Sequence, residues 1–235
     1  MKQCKIKYAI SLLAIIVMMF SCDFAKKTST KSISERNIVP EVIICDLDMP
    51  EPQIIIDSQM TFEEAISGTN APQDIINQLV LIDVEYYSTD NKLHRGQLLL
   101  NKSIEKDIVA IFDTIKSIRF PIAQAIPVVA YDWDDNRSMA ANNTYSFSYR
   151  KVAGTNNLSR HAEGKAVDIN PVFNPLIWKS PNENRPVQPE NAKYDKTVPG
   201  TLYLEHPVVK EFIKRKFTWG YNFSRYYDIH HFHKK

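Results

Sequence analysis

The chain has 235 residues, of which 44% are hydrophobic and 24% are charged, a composition that excludes a disordered or collagen-like protein and allows one domain with or without a tail. The 29 basic and 27 acidic residues give a formal net charge of +2, so no excess of basic charge indicates a nucleic-acid partner. The three cysteines are too few for a disulfide scaffold or a four-thiolate zinc site, so metal chemistry must use histidines and carboxylates.

The N-terminal residues have the pattern of a secretory signal. An apolar stretch at residues 8–20 follows three lysines, Lys2, Lys5 and Lys7, and it is shorter than the about 20 residues that a membrane-spanning helix needs. Ser21 then precedes Cys22, which resembles a bacterial lipoprotein processing site. We therefore predict a signal peptide at residues 1–21 and an extracytoplasmic protein anchored to the membrane only through a lipid on Cys22. A secreted or periplasmic protein and an uncleaved anchor are the alternatives.

Three further regions follow the predicted signal peptide. Residues 22–37 are polar and predict a flexible tether. Residues 38–78 are interrupted by prolines and form an N-terminal extension, with a short helix expected at residues 61–66. The main domain is predicted to span residues 79–235.

The main domain begins with a predicted β-hairpin and a helix. Alternating strand-forming runs at residues 79–87 and 93–100 flank a turn rich in Asp and Asn. Asn101 or Ser103 is then expected to cap a helix, because apolar residues recur at helical spacing over 104–118. Pro121 is expected to end it.

The rest of the chain predicts short strands, a long excursion and a second helix. The strands are expected at residues 126–131, 145–151 and 166–169. Residues 132–143 read as a polar loop, residues 170–199 as a proline-rich ordered excursion, and residues 207–217 as the second helix. This order favours an α+β fold over a doubly wound sheet.

Residues 159–170 contain a candidate metal site. A catalytic zinc takes three protein ligands from His, Asp or Glu and leaves one position open. His161 and Asp168 are too far apart for adjacent turns of one helix, so a loop that turns at Gly164 and then enters a strand fits better. On that strand Asp168 faces away from its apolar neighbours. The third ligand is expected from the histidine-rich segment 228–233, and the spacing alone does not choose among its histidines.

Two further residues fit a hydrolytic role. Asp228 precedes His231 by three residues and is a candidate general base beside the metal. Arg150, on a predicted strand, is a candidate cation for the oxyanion of a tetrahedral intermediate.

Two segments of the chain form fixed patterns, Ser159-x-His161-x-x-Gly164-x-Ala166-x-Asp168 and Asp228-x-x-His231-Phe232. The first resembles the SxHxxGxAxD signature of the peptidase M15 family, the D-alanyl-D-alanine carboxypeptidases and L-alanyl-D-glutamate endopeptidases. The second resembles the closing element of that family. The resemblance implies the Hedgehog/DD-peptidase fold, α+β with a central, mostly antiparallel sheet and flanking helices.

The resemblance also implies an activity and a set of site residues. Members of the family use one zinc ion and hydrolyse peptidoglycan stem peptides at a bond next to a D-residue. By position, the resemblance implies zinc ligands at His161, Asp168 and His231. It implies a general base at Asp228, a substrate- and transition-state-binding arginine at Arg150, and substrate binding by Ser159.

Several points stay open at the level of the sequence. His230 stands where many members have proline, which leaves the choice between His230 and His231 as ligand undecided. Residues 172–206 do not align, so the scissile bond and exo- versus endo-cleavage are undetermined. A non-catalytic metal-containing binding module on the same scaffold is the alternative function. We expect a monomer, and one or two aromatic residues in a substrate groove out of five candidates: Trp133, Trp178, Trp219, Tyr226 and Tyr227.

Overall fold

The computed structural model of the protein describes residues 53–152, 154–180, 182 and 185–235. The predicted signal peptide, the tether and the part of the extension before residue 53 lie outside these residues. Within the described ranges, no helix combines the length and apolarity needed to cross a bilayer.

The first half of the described chain forms a three-stranded sheet. The elements are β1 (Ile55–Ile56), α1 (Phe62–Ala65), α2 (Gln73–Ile76), β2 (Leu79–Tyr87) and β3 (Leu93–Asn101). The predicted hairpin is confirmed, because β2 pairs antiparallel with β3 over its whole length. Strand β1 adds to the other edge of β3 in parallel, in the order β1-β3-β2. The predicted helix near residue 61 is confirmed as α1, which Thr61 begins with a capping box.

The long helix α3 (Glu105–Ser117) covers one face of this sheet. A 3₁₀ turn, Lys102–Ile104, leads into it, and the Asn101 side chain accepts a hydrogen bond from the Ser103 backbone N–H, as the capping prediction required. The helix buries one apolar stripe, formed by Ile108, Ile111, Phe112 and Ile115. It ends before Pro121, where the chain turns through Arg119 at a φ of 52°.

The prediction of a strand at residues 126–131 is wrong. Only β4 (Gln124–Ala125) is extended, and Val128–Tyr131 forms a 3₁₀ helix after Pro127. Proline has no N–H with which to continue a ladder, so the strand stops there. The following polar loop contains a helix that the pattern did not indicate, α4 (Asp135–Ala140), which the Asp134 carboxylate caps.

Residues 145–151 are not one strand of a ladder. The strand β5 (Asn143–Thr144) pairs with β4, and single bridges follow at Tyr145 and Lys151. The backbone N–H of Phe147 donates to Leu99 and that of Ser148 donates to His161. The segment therefore connects the first sheet to the loop that carries His161.

The last third of the chain supplies two small antiparallel sheets and a helix. Its elements are β6 (Ala166–Asp168), β7 (Leu176–Trp178), α5 (Pro207–Lys214), β8 (Thr218–Trp219), β9 (Tyr226–Asp228) and β10 (His231–His233). One sheet has the order β6-β10-β8, and the other pairs β7 with β9. The helix predicted after residue 206 is confirmed, and the His206 Nδ1 atom accepts a hydrogen bond from Val208 N at its start. The α+β class is confirmed, with the described strands divided among several small sheets.

The hydrophobic core lies between the first sheet, the two helices α3 and α5, and the sheet of β6, β10 and β8. Phe232 of β10 is fully buried there and stacks on Phe212 of α5, with ring centroids 3.9 Å apart. It also lies parallel to Trp219, which rules that tryptophan out as a groove residue. Val167 of β6 is buried in the same cluster. Both strands therefore point alternate residues into the core.

Gly164 lies in close contact with the first sheet. Its φ is +66°, and a Cβ atom there would lie 2.8 Å from both Asn101 N and Leu79 Cδ2. Its carbonyl accepts a hydrogen bond from Asn101 N. A side chain is thus excluded by backbone conformation and by space together.

We expect Gly164→Ala to destabilise the protein by about 2–4 kcal/mol, from left-handed strain plus overpacking. Gly154→Ala is the matched control, because Gly154 has a φ of +73° and no heavy atom within 4 Å of a built Cβ. The control should lose only about 1–2 kcal/mol. Chemical denaturation measures both, and equal losses would show that the contact with the sheet contributes nothing.

Candidate metal centre and cavity

Three separate elements bring His161, Asp168 and His231 together. His161 lies in a 3₁₀ helix, Arg160–Glu163, that the Ser159 hydroxyl begins. Asp168 ends β6 and lies directly opposite His231 at the start of β10. The three residues are 1%, 1% and 9% exposed. Alternation with the core residues Val167 and Phe232 turns Asp168 and His231 toward the side of the sheet where His161 meets them.

The facing atoms of these side chains form a nearly equilateral triangle. His161 Nε2 lies 3.1 Å from Asp168 Oδ1 and 3.1 Å from His231 Nδ1. The third edge, from His231 Nδ1 to Asp168 Oδ1, is 3.0 Å. Ligands of a tetrahedral zinc at ordinary bond lengths are about 3.3 Å apart. Among the described residues, these three form the group of His, Cys, Asp or Glu side chains whose ligand atoms lie close enough together to hold a metal ion.

The tautomer of His161 supports a cation at the centre of this triangle. Its Nδ1 lies 2.6 Å from the carbonyl oxygen of Ser146, which only accepts, so Nδ1 carries the proton. In the neutral ring, Nε2 then presents a lone pair toward a carboxylate and a second imidazole. A cation satisfies all three facing atoms at once, and the Ser146 carbonyl orients the ring as outer partners of metal-binding histidines do.

Asp228 and His230 form a buried pair beside the triangle. His230 Nδ1 lies 2.8 Å from the Asn174 carbonyl oxygen, and Nε2 lies 2.9 Å from Asp228 Oδ1 and 3.7 Å from Asp168 Oδ2. The shortest contacts of the two ring nitrogens of His230 are therefore with Asn174 and Asp228, outside the triangle. Of the two histidines that the sequence left open, the structure places His231 in the group.

Charge compensation keeps this pair ionised. Burial lowers the pKa of His230, but the carboxylates of Asp228 and Asp168 outweigh it and raise that pKa to about 10. Burial raises the pKa of the Asp228 carboxyl, but the nearby His230 and His231 hold it below its usual value. The resulting Asp228 carboxylate can accept a proton.

Arg150 lies on the other side of His161 in a polar cluster of its own. Its Nη2 atom is 2.9 Å from Asp135 Oδ2 and 3.3 Å from the Tyr145 hydroxyl, which donates to the same aspartate. The Tyr145 ring stacks on the His161 ring with centroids 4.9 Å apart. The cluster thus fixes the arginine next to the candidate metal ligands.

Three further polar residues near the triangle have identifiable contacts. The Ser159 hydroxyl accepts a hydrogen bond from the His161 backbone N–H and lines the cavity at the site, while its predicted part in substrate binding stays a prediction. Glu163 pairs with Arg160 at 2.7 Å, consistent with a turn residue rather than a base. The His233 ring packs against the His231 ring outside the triangle.

The candidate metal ligands border one open cavity of about 700 Å³. The candidate ligands, Asp228, Arg150 and Ser159 lie along it. Of the five aromatic candidates, Trp178 and Tyr226 are among the described lining residues. A cavity of this size accommodates a short peptide rather than only a small ion.

Comparison with known proteins found a family model that covers all three candidate ligands. Residues 153–234 match the family model described as D-alanyl-D-alanine carboxypeptidase, within the peptidase M15 group. Residues 153–234 are therefore similar in sequence to the M15 peptidases. The resemblance found in the motifs is thereby confirmed over about the last third of the chain. Searches of curated proteins and of solved structures found no significant match.

The matched segment, residues 153–234, contains the candidate ligands. Some of the residues that orient the site lie outside this segment. Ser146 supplies the carbonyl to His161, and Tyr145 and Asp135 hold Arg150. Asn174 fixes His230. Sequence reasoning missed these four residues because backbone carbonyls leave no sequence signal and because Asp135 lay in a segment interpreted as a polar loop.

We expect purified wild-type protein to bind about one zinc ion per chain, as a three-ligand site does. His161→Ala and Asp168→Ala should each retain almost none after dialysis, because two ligands no longer hold the ion. His233→Ala is the control and should keep its zinc, since His233 lies outside the triangle. Elemental analysis measures the content, and unchanged zinc in His161→Ala would contradict the assignment.

Proposed function

We propose that this protein is a zinc-dependent peptidase that hydrolyses peptidoglycan stem peptides at a bond next to a D-residue, either as a D,D-carboxypeptidase or as an L-Ala-D-Glu endopeptidase. The observation that carries the proposal is the triangle of His161 Nε2, Asp168 Oδ1 and His231 Nδ1. It lies within a segment that matches a carboxypeptidase family. Cell-wall remodelling is the process that such an activity serves.

The residues fit a catalytic rather than a closed structural zinc site. Two imidazoles and one carboxylate would hold the ion and leave a fourth position toward the cavity. When bound, zinc supplies Lewis acidity to a substrate carbonyl and to water. The chain itself must then orient the peptide, move the proton and compensate the developing negative charge.

Asp228 is suited to move the proton. Its carboxylate borders the cavity and is held by His230. Its Oδ1 atom lies 2.9 Å from His230 Nε2, and this ion pair keeps the carboxylate charged. An ionised carboxylate at this position can take a proton from the attacking water and return it to the leaving amine.

Arg150 is suited to compensate the negative charge. The pair with Asp135 directs its guanidinium to the cavity wall, at fixed position relative to His161. Its Nε atom is buried and lacks a hydrogen-bond partner among the described residues. A pre-oriented cation of this kind stabilises an oxyanion without reorganising during the reaction.

We expect Asp228→Asn to keep its zinc and to lose about 10²–10⁴-fold in kcat on purified peptidoglycan or stem peptides. The amide preserves the shape of the side chain but removes the proton acceptor. Glu163→Gln is the matched control, since Glu163 pairs with Arg160 in a turn, and it should retain wild-type turnover. Mass spectrometry of the products with and without a chelator measures both.

The result also separates the alternative function. A wild-type protein that binds zinc and stem peptides but releases no product would be a non-catalytic binding module. Wild-type turnover in Asp228→Asn would leave a peptidase but remove Asp228 from the mechanism.

We further propose that the enzyme acts outside the cytoplasm of a bacterium, as a monomer held to a membrane by a lipid on Cys22. The motif before Cys22 supports this location, which also brings the enzyme to its substrate. Without an anchor, the same domain would be secreted or periplasmic.

We expect the wild-type chain, expressed in a bacterial host, to incorporate labelled palmitate and to fractionate with membranes. Cys22→Ala should lose the label and leave the membrane fraction, because the acylated thiol is gone. Cys45→Ala is the control and should behave as wild type. Membrane association of Cys22→Ala would indicate an uncleaved anchor.

A further inference from the structure

Strand β10 carries a second histidine on the face that holds a candidate metal ligand. His233 follows His231 by two residues, so both side chains leave the strand on the same side. The backbone of His233 is paired with Ala166 on β6 and with Thr218 on β8. Strands on both sides therefore fix its position, although the second sequence motif ends one residue earlier, at Phe232.

The His233 ring is held beside His231 at the cavity wall. It packs against the His231 ring with centroids 5.2 Å apart and against the Phe223 ring with centroids 5.9 Å apart. The side chain is partly exposed, and together with Phe223 it lines the cavity. The neighbouring rings therefore fix the imidazole, while part of its surface stays accessible to a ligand in the cavity.

One nitrogen of this ring is buried without a hydrogen bond. The Nδ1 atom of His233 has no hydrogen-bond partner among the described residues. A buried N–H without an acceptor costs more than a bare lone pair, so the ring proton is better placed on Nε2. Because Nδ1 is buried, the accessible part of the ring is the opposite edge, which carries Nε2. A polar group left unsatisfied beside a metal site calls for a functional explanation.

We propose that His233 is a substrate-binding residue whose Nε2–H donates a hydrogen bond to a main-chain carbonyl oxygen of the peptide, beside the scissile bond. The inference rests on the proposed function, because it adds a contact to that peptidase site. Successive residues of an extended peptide are about 3.5 Å apart. A peptide held at the triangle therefore presents a further carbonyl close to the ring that packs on His231. This contact does not depend on the side chain of the substrate residue.

Two substitutions separate this hydrogen bond from the packing of the ring. His233→Phe keeps an aromatic ring but removes the donor, whereas His233→Gln removes the ring and places an amide N–H near the position of Nε2. We expect His233→Phe to raise KM for stem peptides about tenfold and to leave kcat within about twofold of wild type, because the contact is equally strong in the ground state and the transition state. His233→Gln should keep kcat/KM within about threefold of wild type. A wild-type KM in His233→Phe overturns the proposal, and so does an equal loss in both variants, which would indicate packing.

Thr218→Val is the matched control. Thr218 lies opposite His233 on β8, where it is exposed and outside the described cavity lining. The substitution removes a hydroxyl donor from the same sheet with little change in volume, so wild-type KM is expected. A rise in KM equal to that of His233→Phe would indicate a general effect on the sheet and overturn the proposal.

Zinc content is measured in the same variants. Both His233 variants should contain about one zinc ion per chain, because His233 lies outside the group of candidate ligands. Loss of zinc from His233→Phe would assign the change in KM to the metal site and overturn the role of His233 in substrate binding.

Calorimetric binding of stem peptides to the zinc-loaded protein separates this proposal from the proposed function. Cleavage with a wild-type KM in His233→Phe overturns the role of His233 and leaves the peptidase. Binding without cleavage, about tenfold weaker in His233→Phe and near wild type in His233→Gln, overturns the peptidase and supports the role of His233. Absence of both cleavage and binding overturns both.

Discussion

The pairing of β6 with β10 is the constraint on which the candidate site depends. Its register sets Asp168 opposite His231 and Val167 opposite Phe232. Because side chains alternate across a strand, a slip of one residue would expose Phe232 and bury the two polar residues. Phe232 is completely buried between helix α5 and Trp219. The free energy of packing this ring therefore also holds the candidate ligands in register.

Burying the polar groups of the candidate site costs free energy, and hydrogen bonds and ion pairs from the surrounding chain offset it. The Ser146 carbonyl holds His161, the Asn174 carbonyl holds His230, and Asp135 holds Arg150. Each contact satisfies a donor and also fixes an orientation. The first turns the His161 lone pair toward the triangle, and the second holds His230 against the Asp228 carboxylate at the cavity. The third holds the Arg150 guanidinium along the cavity wall. The three carbonyl and carboxylate partners lie outside the recognisable motifs. Orientation of the site is thus shared across the whole domain.

The excursion after residue 170 is tied to the rest of the domain and supplies part of the cavity wall. Asn170 and Asn174 tie it down, since their side-chain amides donate to backbone carbonyls of Ile169, Gly200 and Pro121. This leaves β7 free to pair with β9 and to form a wall of the cavity. The cavity beside the candidate metal ligands thereby has a wall to which β7, outside both motifs, contributes Leu176 and Trp178.

Local sequence patterns predicted much of the secondary structure and several residues of the candidate site. Alternation predicted the hairpin, helical spacing predicted α3 and α5, and the motifs named His161, Asp168 and Asp228, because each signal resides in residues close together in the chain. Tertiary structure decided which of His230 and His231 joins the triangle, since the two are neighbours in sequence and differ only in the face of the chain that they occupy. It also decided that β7 pairs with β9, which brings Trp178 near Asp228. These outcomes depend on contacts between segments far apart in the chain, and no local pattern carries that information.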